Sequence, residues 1–107
     1  MMIVVVAEAV ETAEVRRIFD YARIDVATRF ADAVTLLDNY PRPVLIITPD
    51  AIGRESSGSG LDLARMARSR GVPCVLVSDA GGEMYGAAGM VPGGDLLVAV
   101  RRALALR

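Results

Sequence analysis

The chain has 107 residues, 53% of them hydrophobic and 23% charged, with a formal net charge of −1. That length and composition describe one folded domain over residues 1–107, with a single core. The charge is balanced and holds no basic block, which argues against nucleic-acid binding, and no apolar run approaches the ~20 residues of a membrane span.

The opening Met1-Met2-Ile3-Val4-Val5-Val6-Ala7-Glu8 has no basic stretch before its apolar run, so it reads as a strand over Ile3–Val6 and not as a signal peptide. Val15, Ile18, Phe19 and Ala22 follow at i, i+3, i+4, i+7, one face of a helix beginning near Thr12. Asp25–Thr28 is a brief second strand. Phe30, Ala33, Val34 and Leu37 repeat the helical spacing, and Asn39-Tyr40-Pro41 closes that helix. Val44–Ile47 is a third strand, all apolar, stopping at Thr48-Pro49.

Residues 48–60 form a loop rich in Gly and Ser. Leu61, Ala64 and Ala67, with Leu63 and Met66, predict a third helix ended by Gly71. Val72–Val77 is the fourth strand. It contains Cys74, the one cysteine, which excludes an internal disulfide, suits a reducing cytoplasm and reads as a small buried hydrophobe. The Gly-rich stretch 81–94 has room for one short strand at Gly89–Val91. Asp95 then caps a last helix with Leu96, Leu97, Val100, Ala103 and Leu104 inward and Arg101, Arg102 and Arg107 outward or near its end.

Strands without alternation, separated by helices, predict a parallel sheet covered on both faces. The expected architecture is a doubly wound five-stranded α/β domain of flavodoxin-like order 2-1-3-4-5. Sites in such folds lie at the carboxyl ends of the strands. The positions to inspect are Ala7 and Glu8, Thr28, Thr48 to Asp50, Ser78 and Asp79, and Val91 and Pro92.

Two absences narrow the chemistry. The chain has no histidine, the usual general base and commonest zinc ligand, and no lysine, since all 12 basic residues are arginine. An enzyme is therefore not expected.

The segments Val4–Glu8, Pro43–Thr48, Gly60–Met66, Gly71–Ser78 and Asp95–Leu104, in that order and spacing, resemble the receiver domains of two-component response regulators, the CheY-like family. The resemblance covers nearly the whole chain. It implies an acid pair after the first strand that holds Mg²⁺, an aspartate after the third that takes the phosphoryl group, a Ser or Thr after the fourth and a lysine after the fifth. Here those positions carry Ala7-Glu8, Thr48, Ser78 and Val91. Only Ser78 matches in full. A threonine without an adjacent base is a poor nucleophile. One Glu is a poor Mg²⁺ platform, so neither Mg²⁺ nor another cofactor is expected. Asp50, two residues past the nucleophile position, is the one candidate for a substitute acceptor.

Two length differences add to this reading. The loop from Thr48 to Gly60 is longer than the family pattern, and a Gly/Ser stretch before a helix can cradle an anion or simply be a surface loop. The segment between Ser78 and Val91 is shorter, so the family's fourth helix is expected to be shortened or absent. Its loss either leaves apolar sheet exposed, with Met84, Tyr85 and Met90 as an interaction surface in the region where receivers dimerise or dock partners, or lets the segment collapse onto the sheet and seal it.

The leading expectation is a cytoplasmic pseudo-receiver in bacterial two-component or phosphorelay signalling, acting through a protein partner or a homodimer. The alternative is a sensor of a phosphate-bearing ligand such as a cyclic dinucleotide, gripped by Arg54, Arg65, Arg68, Arg101 and Arg102. A flavin site is disfavoured because the segment after the first strand, Ala7-Glu8-Ala9-Val10-Glu11, is acidic.

Overall fold

The computed structural model describes residues 2–6, 12–20, 22–39, 43–50, 60–79, 81–83 and 85–106. Its elements in chain order are β1 (Met2–Val6), α1 (Thr12–Ile18), β2 (Arg23–Ala27), α2 (Phe30–Asn39), β3 (Leu45–Pro49), α3 (Gly60–Ser69), β4 (Cys74–Val77), β5 (Ala88–Met90) and α4 (Leu96–Ala105). The strands form one sheet in the order β2-β1-β3-β4-β5, and every neighbouring pair is parallel.

The helices cover both faces, so the central strands are buried on both sides and show no hydropathic alternation. The pleat nevertheless divides them. Ile46, Cys74 and Leu76 point to one face, where they pack with Ala33 and Leu37 of α2 and Leu63, Ala64 and Ala67 of α3. Leu45, Ile47, Val75 and Val77 point to the other, where they meet Val15 of α1 and Leu96, Ala99, Val100 and Ala103 of α4. Each large aliphatic side chain fully buried in these layers contributes about 1.5–3 kcal/mol.

Several boundaries differ from the sequence reading, each for a local reason. β2 begins at Arg23 and ends at Ala27, not Thr28. β3 runs on through Thr48 and Pro49, because both stay paired with β4 (Thr48 with Leu76, Pro49 with Val77). Proline is tolerated there because the ladder to β1 has already ended at Ile47. Val44 is left exposed ahead of the strand. β4 begins at Cys74, after Gly71 and Val72 have been taken up by the end of α3. The Val72 N–H closes α3 by donating to the Ala67 carbonyl at 2.8 Å, while the Gly71 N–H donates to Arg68 at 3.2 Å. This is a Schellman ending, with Gly71 at φ 68.

α4 starts as expected: the Asp95 carboxylate accepts the Val98 N–H at 3.3 Å. Its buried stripe is Leu96, Ala99, Val100 and Ala103, which leaves Leu97 and Leu104 exposed and corrects their inward assignment. Arg101 and Arg102 are exposed; Arg107 lies outside the described residues. Between β4 and β5 no described residue is helical. Cys74 is a core residue, its thiol pushed up to about 12 by burial. No helix among the described residues is long and apolar enough to cross a membrane.

Candidate functional site: the strand tips and the β5 edge

β3 and β4 bring Thr48, Asp50 and Ser78 to the carboxyl end of the sheet. Ala7 and Glu8 lie outside the described residues, as does loop segment 51–59 with Arg54. Thr48 is fully buried, and its hydroxyl donates to the Pro49 carbonyl at 3.0 Å. That hydrogen bond satisfies the side chain and holds its proton within the fold.

The start of α3 presses on the same point. A Cβ at Gly60 would lie 1.5 Å from the Pro49 oxygen and 3.0 Å from the Thr48 Oγ1. The Gly60 N–H donates to the Asp50 carbonyl at 3.1 Å, and the Asp50 N–H donates to Val77 at 3.0 Å. The Asp50 backbone is thus tied on both sides while its carboxylate is exposed. Gly60 was legible in the sequence only as a loop end; nothing in its neighbours marks this close approach.

Ser78 is buried at the tip of β4, and its N–H donates to Met90 at 2.9 Å. The register that pairs Pro49 with Val77 puts Ser78 level with Asp50, not with Thr48. Ser78 thus lies two residues beyond Leu76, the residue that pairs with Thr48. Val91, at the lysine position, is 47% exposed just past β5. Among the described residues, no three His, Cys, Asp or Glu come together as metal ligands.

The second region is the β5 edge. The sheet beneath the missing helix is closed: Cys74, Leu76 and Ala87 are all buried. Of the two expected outcomes, the segment sealing the sheet is the one found, and bare apolar sheet is not. One reason is the contact of backbone with backbone at Gly89, where a Cβ would lie 2.2 Å from the Gly82 oxygen and 2.4 Å from the Gly81 oxygen. The other is Tyr85, half-buried against the α2/α3 core. Its φ of 53 is a left-handed conformation unusual for an aromatic residue. The Arg65 Nη2 of α3 donates to its hydroxyl at 2.6 Å, and the Arg65 Cζ stands 4.4 Å from the ring centroid. Bonding to that hydroxyl raises the Arg65 pKa above its ordinary value.

Of the sequence-proposed surface, Tyr85 is thus fastened to α3, Met90 is half-buried on the α4 side, and Met84 lies outside the described residues. The apolar exposure sits next door. Val91 and Val98 border a groove of about 220 Å³ along β5 and α4, with Asp95 towards one end and Arg102 towards the other. Of the arginines offered as phosphate ligands, Arg54 lies outside the described residues. Arg65 and Arg68 belong to α3 and Arg101 and Arg102 to α4, and these helices pack on opposite faces.

No family model matches the chain, and no curated protein matches it. Among solved structures it is similar to the receiver domain of the Francisella response regulator 1452. The TM-score is 0.62 at 13% identity, over 98% of this chain and 93% of that one. The shared property is the receiver-type fold.

Proposed function

We propose that the chain is a receiver-like signalling domain that acts without phosphoryl transfer, through docking to a protein, within bacterial two-component or phosphorelay signalling in the cytoplasm. The observation that carries this reading is Thr48. At the position where the resemblance implies a phosphate-accepting aspartate, the side chain is buried, its hydroxyl is bonded to Pro49, and Gly60 is packed against it. The receiver-type fold and the absence of lysine from the whole chain support the same reading.

The docking face we favour is the groove beside β5, which shares Met90 with the surface proposed from sequence. Its occupant is a second copy of this chain. Asp95 and Arg102 are seven residues apart, about 10.5 Å along α4. A two-fold axis between them sets Asp95 of each copy against Arg102 of the other and buries Val91 and Val98.

Two measurements test the reading. Intact-mass spectrometry after incubation with acetyl phosphate and Mg²⁺ is expected to show no phosphoryl adduct; an acyl phosphate at Asp50 or elsewhere overturns the non-phosphorylatable reading. Light scattering is expected to show a dimer that Val98→Asp converts to monomer. A wild-type monomer at all concentrations overturns the second-copy assignment.

A further inference from the structure

A larger cavity, of about 380 Å³, lies at the opposite end of the sheet from the strand tips. It opens between the C-terminal ends of α3 and α4. Val72, Pro73 and Ala103 give it a buried apolar floor, and Leu106 forms a side wall. Gly71 and Gly86 line it in left-handed conformations (φ 68 and 77) and put no side chain into the space.

Among the described residues, Arg68 is the one charged residue lining this cavity. Its aliphatic stem is laid against Gly86, with Cδ and Cγ 3.5 and 3.7 Å from where a Cβ would stand. Arg17, Arg23, Arg29 and Arg70 each pair with a carboxylate, whereas Arg68 has no ion-pair partner among the described residues. The negative ends of the two helices are partly neutralised by their own caps. Gly71 donates to the Arg68 carbonyl, and Leu106 donates to those of Arg102 and Ala103.

We propose that this cavity binds a small organic anion, a carboxylate carried on an apolar body. The volume is that of a small-molecule site, which begins at about 300 Å³. The apolar floor takes the body, and the guanidinium of Arg68 meets the carboxylate in its planar fork. The site is independent of the docking reading: it lies at the other end of the strands and, among the described residues, shares no lining residue with the β5 groove.

The test uses 4-phenylbutyrate as the probe and its neutral amide, 4-phenylbutyramide, as the control, followed by ¹⁵N–¹H NMR titration of the full chain. Saturable shifts are expected at the Gly71, Val72 and Gly86 amides with the carboxylate, with affinity about tenfold lower for Arg68→Gln. Arg68 is exposed, so the variant keeps its fold, which its own spectrum verifies. Equal affinity for the amide, unchanged binding by Arg68→Gln, shifts confined to other surfaces, or an unperturbed spectrum overturns the proposal.

Discussion

Gly60 and Gly82 stand at the same end of the sheet and tolerate opposite things. A Cβ at Gly60 would fall 1.5 Å from the Pro49 oxygen, while a Cβ at Gly82 meets nothing within 4 Å. The first glycine belongs to the β3 tip, where helix, strand and the Thr48 hydroxyl are pressed together. The second belongs to the segment before β5, where a short edge strand borders an open groove. The two glycines thus mark a tightly packed strand tip, where Gly60 presses on buried Thr48, and an open edge, where exposed Val91 and Val98 lie beside β5.

Four substitutions and one reactivity test bear on that contrast. Gly60→Ala is expected to cost more than about 3 kcal/mol in chemical denaturation, because the clash is with backbone; Gly82→Ala is expected to stay within about 0.5 kcal/mol. Similar losses at both positions would erase the distinction. Thr48→Asp, which places a carboxylate at this tip, is expected to lose about 2–3 kcal/mol at pH 8, since a charge is buried without a partner. Burial raises the folded-state pKa of that carboxyl above its unfolded value of about 3.9. The loss is therefore smallest below pH 4 and grows as pH rises through the folded pKa. A pH-independent loss would mean that the tip is open to water.

Thr48→Val removes only the bond to Pro49 and is expected to cost about 1 kcal/mol. At Cys74, no reaction with a thiol reagent is expected at pH 8 while the protein is folded. Its pKa is raised to about 12 from an ordinary 9.0, so its contribution to stability is intact below pH 9 and is lost as pH rises through 12. Rapid labelling at pH 8 would place the thiol outside the core.

The helical layers were largely legible in the sequence. The apolar runs containing Val44–Ile47 and Val72–Val77 announce strands buried on both faces, and Asp95 announces its helix. The errors cluster where one residue serves two elements. Pro49 reads as a strand stop, yet it ends the strand paired with β4, because only its β1 side lacks a ladder. Val72 reads as strand but is consumed by the α3 ending. Leu97 and Leu104 read as core because composition does not say where the edge of a buried stripe falls.

At the candidate site the identity of Thr48 was readable, but the contacts that close it were not. Gly60 and Thr48 are 12 positions apart, and only the fold brings them into contact. Tyr85 was readable as an adaptable surface residue. Its attachment to Arg65, 20 residues away, depends on a backbone conformation that no local pattern announces.

The order of the sheet has a consequence for how the molecule opens. β5 joins the sheet only through β4, by the pairs Val75–Ala88, Leu76–Gly89 and Val77–Met90. The ladders of β1 with β2 and β3 do not depend on it. The β5 edge can thus fray while the rest of the sheet keeps its hydrogen bonds. Amide exchange in β5 is expected to be faster than in β3. A partner that clamps the edge would slow it, turning the weakest-held part of the sheet into a reporter of occupancy.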